Sequence, residues 1–130
     1  MKWKVIGALS LAALASDVGA LEKWGPTWSE VTGNLWSKVT MHRTVAIIKQ
    51  IDGKHKTDRI VKVEPGKRTI VVQSPMRKGF SGSDATLELD LAPCKRYYIN
   101  AQFKGATGPD WAPVIAMVEP IPGCKIPPAS

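Results

Sequence analysis

The sequence predicts an all-β protein, a single antiparallel β-sandwich of about six to eight strands preceded by a helical signal peptide. Three observations predict this class. Short apolar runs, β-branched or alternating with polar residues, are separated by turn residues, and no stretch shows convincing 3.6-residue periodicity. An uncharged apolar run lies near the amino terminus. The remaining chain of about 110 residues fits one domain with one core.

The first twenty residues have the layout of a secretory signal. Two early lysines precede an uncharged apolar run at positions 5–15, and Val18-Gly19-Ala20 supplies the small residues that a signal peptidase accepts. We expect cleavage after Ala20, with Ala15 as a second acceptable site. The run is shorter than the roughly 20 residues of a membrane-spanning helix, and no cysteine follows it to carry a lipid anchor. We therefore expect export to the periplasm or the extracellular space.

Residues 21–41 are expected to form a Trp-rich segment that packs on the sandwich. The segment contains Trp24, Trp28 and Trp36, and large rings of this kind commonly cover an open edge or cap a core. Gly33-Asn34 favours a tight hairpin between residues 27–32 and 35–40. The sandwich itself is assigned to residues 42–124, and residues 125–130 to a proline-rich tail.

Within the sandwich, turn residues separate the strands. Asp52-Gly53 ends the first run, and Glu64-Pro65-Gly66 is a turn in which proline presets φ and glycine accepts a positive φ. The predicted strands are 44–51, 59–63, 69–73, 84–91, 96–103 and 114–118.

The fourth and fifth runs alternate most clearly. Apolar residues occupy every second position of 84–91 and 96–103, so that each strand has one apolar face. If residues 92–94 turn the chain into a hairpin, Leu89 lies opposite Tyr97 and Asp90 opposite Arg96. The alternation thus predicts that these two strands are neighbours in one sheet.

Cys94 and Cys124 are the only cysteines, an even number in a chain predicted to enter an oxidising compartment. Antiparallel strands alternate in direction, so the sixth strand runs back toward the end where Cys94 lies, and Cys124 follows that strand. We expect a disulfide between them rather than a zinc pair or two free thiols.

Two segments resemble known families. Ile51-Asp52-Gly53-Lys54, followed by the stretch from Val63-Glu64-Pro65-Gly66-Lys67 to Val72, resembles the PEGA-type pattern of a DGK turn, a strand, a PGK turn and a strand. The stretch from Cys94 through Trp111 to Cys124 is similar to small exported proteins of Gram-negative bacteria. The resemblance implies a transthyretin-like or immunoglobulin-like sandwich in the cell envelope, and it carries over no catalytic residues.

The residue pattern contains no catalytic, metal-binding or cofactor-binding constellation. His42 and His55 lack ligand spacing, and residues 79–83 lack the lysine of a phosphate-binding loop. Glu88 and Asp90 share one face of a strand, but pairing of Asp90 with Arg96 accounts for them more simply. We therefore predict a protein that is not an enzyme.

Charge placement is the most informative functional signal, in a chain of net charge +7. By the alternation of strand direction, three basic loops are expected to share one end of the sandwich. That end would form a cationic surface with an aromatic rim, suited to phosphorylated lipopolysaccharide, lipid headgroups, an acidic envelope polymer or an acidic protein. The candidate contact residues are Lys54, Lys56, Arg77, Lys78, Lys104 and Trp111. Alternatively, these loops serve only solubility. Nucleic acid is disfavoured by the expected compartment.

Other functions remain open. An inhibitor or accessory subunit would dock on an exported protein through a flat sheet face. The tryptophans could instead form a glycan-stacking platform, as in a carbohydrate-binding module. A hydrolase would require a deep pocket lined by Asp84, Glu88 or a histidine. The sequence leaves the ligand, the strand order and the oligomeric state undetermined.

Overall fold

The computed structural model describes residues 25–37 and 39–126, and within them the chain forms a sandwich of two β-sheets with no helix. The predicted signal peptide, Trp24 and the last four residues lie outside this part. The strands are β1 (Ser29–Thr32), β2 (Arg43–Thr44), β3 (Ile47–Ile51), β4 (Lys54–His55), β5 (Ile60–Val63), β6 (Gly66–Gln73), β7 (Asp84–Leu91), β8 (Lys95–Phe103) and β9 (Trp111–Pro120). The predicted fold class is confirmed.

The first sheet has the strand order β9-β8-β1-β5, with the short β2 also paired to β8. Its pairs are antiparallel except β1 with β8, which is parallel and places Val31 beside Tyr97. Residues 29–32 are therefore an internal strand of the sheet and not a cover laid over it. The predicted hairpin at Gly33-Asn34 is wrong, because β1 pairs with β5 and β8 and no strand occupies the described part of 35–40.

The second sheet has the order β4-β3-β6-β7, with every pair antiparallel. The chain enters it between Thr44 and Ile47, so the predicted strand 44–51 is divided between the two sheets. Gly33 lies against this crossing. A Cβ at Gly33 would come 1.8 Å from the carbonyl oxygen of Ala46, so only glycine fits there.

The core lies between the two sheets and follows the alternation of the strands. Its fully covered side chains include Val31 of β1, Ile70 and Val72 of β6, and Ile99 of β8, all 0 % exposed. Leu87 and Leu89 of β7 pack against the same cluster. Burial of these apolar side chains supplies the main stabilisation of the domain.

The predicted hairpin between residues 84–91 and 96–103 is wrong. β7 pairs with β6, so Asp90 lies opposite Lys67, and Arg96 forms ion pairs with Glu30 and Glu119. The apolar faces of β7 and β8 do meet, but across the core from opposite sheets. Alternation identifies the buried face of each strand. It does not distinguish a partner beside the strand from one across the sandwich.

Cys94 and Cys124 form the predicted disulfide, with their Cα atoms 5.4 Å apart. The amide of Cys94 donates to the carbonyl of Trp28, and the carbonyl of Cys94 accepts from the amide of Ile121. The bridge thus ties the chain after β9 to the β7–β8 connection and to the segment before β1. We call this region the disulfide end, and the region around Phe103, where β8 finishes, the loop end.

Candidate functional site: a cationic cleft beside the disulfide end

The six predicted contact residues do not share one end of the sandwich. The turn at Asp52-Gly53 lies next to the start of β6, which is opposite Leu91 at the disulfide end, because Ile51 pairs with Ile70. Lys54 follows that turn. Arg77 contacts Phe103 at the loop end. The prediction of a single cationic end is wrong. It treated residues 54–59 as a loop, whereas this segment runs back along the sandwich, so Lys54 and Arg77 lie at different ends.

Lys54 and Lys56 line a cleft of about 290 Å³ between the β3–β4 turn and strand β5. Ile51 and Val63 line it too, and both are almost completely buried. Four cationic side chains and two carboxylates complete the lining. They are Lys54, Lys56, Lys62, Arg68, Asp52 and Glu64.

Arg68 engages both carboxylates of the cleft. Its guanidinium lies 3.0 Å from the carboxylate of Asp52 and 3.4 Å from that of Glu64. It also donates to the backbone carbonyls of Glu64 and Pro65, which hold the tight turn before β6. The two acids are thereby directed toward Arg68.

Asp52 is held by the backbone as well. Its carboxylate accepts a hydrogen bond of 2.9 Å from the amide of Thr69. This bond, with the hydrogen bond from Arg68, lowers the pKa of Asp52 below its ordinary value. Asp52 therefore stays ionised at neutral pH and keeps Arg68 in place.

The three lysines of the cleft have no comparable partner. Among the described residues, no carboxylate lies within 4.0 Å of the ammonium group of Lys54, Lys56 or Lys62. Lys62 is oriented instead by an aromatic ring, since its Nζ lies 4.5 Å from the centre of the Trp28 ring. Three lysines thus line the cleft, and none of them forms an ion pair with another described residue.

A second cavity, of about 380 Å³, adjoins the first along the same open side of the sandwich. Lys56 lines both, and Arg59 adds a further cation beside Asp58. The two cavities therefore meet at Lys56.

A row of alternating charges crosses the outer face of the first sheet. Glu30 is 6 % exposed and accepts from the indole N–H of Trp28 and from Arg96. Arg96 also donates to Glu119, which accepts from the hydroxyl of Tyr98. The hydrogen bond to Glu119 raises the pKa of Tyr98, and the one to Glu30 raises the pKa of Arg96. The row is satisfied internally, so we assign it a role in holding β1, β8 and β9 together.

The tryptophans of the amino-terminal segment lie on this outer face. Trp28 covers Glu30, and Trp36 packs edge to face on Tyr98 with ring centres 5.1 Å apart. The amide of Trp36 donates to the side-chain oxygen of Asn100, a fully buried residue. The two rings therefore pack on the strands, as the covering role predicts, although they lie on a sheet face and not on an open edge.

At the loop end, two of the predicted contact residues are engaged in internal contacts. Arg77 stacks at 3.8 Å on the ring of Phe103 and donates to the carbonyls of Gly105 and Gly108. The indole N–H of Trp111 donates to the hydroxyl of Ser83 at 2.7 Å. Lys78 and Lys104 are exposed. Of the loop-end candidates, only these two lysines present their charge to solvent.

Neither cavity is lined by Asp84, Glu88 or a histidine, the residues that a hydrolase site would need here. In the part of the chain that the structure covers, no three histidine, cysteine or acidic side chains are grouped as metal ligands. Over the same residues, no helix has the length and apolar character needed to cross a bilayer.

No family model, curated protein or solved structure matches this chain. The resemblance to PEGA-type and transthyretin-like domains therefore stays a prediction. The two-sheet architecture is established by the pairing of the strands.

Sequence reasoning missed two cationic residues of the cleft, Lys62 and Arg68. A signal for Lys62 was present, because it alternates with Val61 and Val63 and must point away from the core. No comparable signal existed for Arg68. Its role depends on the close approach of Asp52 and Glu64, which lie on separate turns.

Proposed function

We propose that this protein is a non-catalytic binding protein of the bacterial cell envelope whose cationic cleft holds an anionic polymer by its phosphate or carboxylate groups. One observation carries the proposal. Lys54, Lys56 and Lys62 surround a cleft whose two carboxylates are both engaged by Arg68. An anionic ligand would provide the counter-charge that these ammonium groups lack.

The shape of the site favours a chain over a compact ion. The second cavity shares Lys56 with the cleft and is also lined by Arg59, so successive anionic groups could contact successive cations. Phosphorylated glycolipid and acidic polysaccharide share this chemistry, and two probes separate them.

The test is calorimetric titration of the disulfide-bonded protein with tripolyphosphate and, separately, with oligogalacturonate. We expect binding that weakens as salt is added, because the contacts are between solvent-accessible charges. The Lys54→Gln, Lys56→Gln, Lys62→Gln variant should bind about tenfold or more weakly. The stronger of the two probes identifies the preferred anionic group.

The matched control replaces Lys78, Lys104 and Lys125 by Gln, which removes the same charge from exposed residues outside the cleft. This variant should bind nearly as the unsubstituted protein does. An equal loss of affinity in the two variants would show that net charge alone drives binding, and it would overturn the assignment of the cleft.

A further inference from the structure

Three loops converge on Phe103 at the loop end, namely residues 39–43, 74–83 and 104–110. The amide of Phe103 donates to the carbonyl of His42, and the side chain of Gln102 donates to the carbonyl of Met41. Arg77 joins the other two loops through Phe103, Gly105 and Gly108. The backbones of these loops are therefore held in place.

The same loops expose large apolar side chains to solvent. Met41 is 75 % exposed, Met76 80 % and Phe80 43 %. Phe80 closes a two-residue turn with Arg77, in which Gly79 has a φ of 83°. Because hydrogen bonds fix the backbone beside these residues, their exposure is a feature of the folded loops and does not come from fraying.

Basic residues are interleaved with the apolar ones. The three loops contain His42, Arg43, Arg77, Lys78 and Lys104, and Asp110 is their single carboxylate. Arg43 and Arg77 are engaged with Gln102 and Phe103, which leaves Lys78 and Lys104 exposed. Apolar tips among cationic side chains are typical of surfaces that bind anionic membrane interfaces.

We propose that the loop end docks on an anionic lipid bilayer. Met41, Met76 and Phe80 enter the interfacial region, while Lys78 and Lys104 meet headgroup phosphates. The apolar side chains come from separate loops at one end of the sandwich and not from a flat sheet face. Methionine side chains are flexible and adapt readily to a fluid environment. A bilayer fits this arrangement better than the surface of a folded protein.

This docking surface shares no residue with the cationic cleft. Lys54, Lys56 and Lys62 line the cleft beside the disulfide end, whereas the loop end surrounds Phe103. A protein attached by its loop end could leave the cleft open to an anionic polymer. The two sites can therefore be tested separately.

The experiment is flotation with vesicles of phosphatidylglycerol and phosphatidylcholine, compared with vesicles of phosphatidylcholine alone. All variants are purified as the exported protein, and mass spectrometry checks that they have the same amino-terminal residue. We expect binding to the anionic vesicles and about tenfold or more weaker partitioning for Met41→Ser, Met76→Ser, Phe80→Ser. Lys78→Gln, Lys104→Gln should weaken binding to the anionic vesicles only.

A matched pair of single variants controls for general hydrophobicity. Met76→Ser should weaken partitioning, whereas Ile126→Ser, which removes a 68 % exposed apolar side chain beyond Cys124, should not. Unfolding temperatures of all variants should agree, because the altered side chains are exposed. Titration with tripolyphosphate should be unchanged in the Met41→Ser, Met76→Ser, Phe80→Ser variant, which separates this proposal from that of the cleft.

Insertion is read directly from Phe80→Trp. The fluorescence of the added tryptophan should be quenched by vesicles that contain brominated phosphatidylglycerol. Vesicles of brominated phosphatidylcholine alone should not quench it. Absence of vesicle binding, undiminished binding by the serine variant, or binding without this quenching would each overturn the proposal. The last two results would indicate surface adsorption by charge alone.

Discussion

The two ends of the sandwich differ in which apolar side chains they bury and which they expose. At the disulfide end, Cys94 and Ile121 are buried. Cys94 is bonded to Cys124, and the amide of Ile121 donates to the carbonyl of Cys94. At the loop end, Met41 and Met76 are exposed, although Arg77 and Phe103 hold the loops that carry them. The difference indicates that one end closes the domain, while the other presents a surface. Experiments that alter each end separately test this difference.

Loss of the disulfide should destabilise the protein most. The double substitution Cys94→Ala, Cys124→Ala should lower the free energy of unfolding by about 3–4 kcal/mol, because the bridge closes a loop of thirty positions. Urea denaturation measures this change. A loss below about 1 kcal/mol, outside the usual range, would show that the disulfide end is closed without the bridge.

Substitution of Gly82, at the base of the loop end, should cause the next largest loss of unfolding free energy. A Cβ at Gly82 would lie 2.1 Å from the carbonyl oxygen of Ser74, a backbone atom that cannot easily move. Gly82→Ala should therefore cost about 2–3 kcal/mol of unfolding free energy. Gly105→Ala is the control, since a Cβ there would meet only the carbonyl oxygen of Thr107 at an ordinary contact distance of 3.7 Å. An equal loss in the control would show that the close contact at Gly82 is not the cause of the destabilisation.

Arg77 tests whether the exposed loops are held in place. Arg77→Ala removes hydrogen bonds to two carbonyls and the contact with Phe103, and should cost about 1–2 kcal/mol. Arg77→Lys should recover only part of this, since an ammonium group does not reproduce the planar fork. Hydrogen exchange at residues 104–110 should rise in Arg77→Ala. Unchanged hydrogen exchange at these residues would show that Arg77 does not hold this loop in place.

The smallest effect on stability is expected from acid. The pKa of Asp52 is lowered by Thr69 and Arg68, so its folded carboxylate binds a proton less tightly than in the unfolded chain. Its contribution is present above the unfolded pKa, near 3.8, and is lost as the pH falls through the lower folded pKa. Asp52→Asn should flatten this part of the stability profile, as measured by urea midpoints. A slope identical to that of the unsubstituted protein would contradict the role given to Asp52.

Much of the fold could be predicted from local patterns. Alternation located the strands and their buried faces, and strand direction brought Cys94 and Cys124 together. The same patterns could not tell whether Leu87 meets Ile99 beside it or across the core, because both arrangements bury the same faces. The crossing between sheets at residues 45–46 was equally hidden, since it interrupts no apolar run.

The candidate site was predictable only in part. Lys54 and Lys56 were identified as basic residues of a predicted loop. They do not lie beside the basic residues of the loop end, because residues 54–59 run back along the sandwich. Arg77 and Trp111 were chosen as exposed contacts, although Phe103 and Ser83 engage them. Internal contacts of this kind depend on tertiary distances that one sequence does not contain.

The most direct test of the account is a map of amide chemical shifts on addition of tripolyphosphate to the nitrogen-15-labelled, disulfide-bonded protein. We predict shifts at Lys54, Lys56 and Lys62, with little change at Lys78 and Lys104, and their disappearance in the Lys54→Gln, Lys56→Gln, Lys62→Gln variant. Shifts centred on the loop end, or shifts that persist in that variant, would contradict the assignment of anion binding to the cleft.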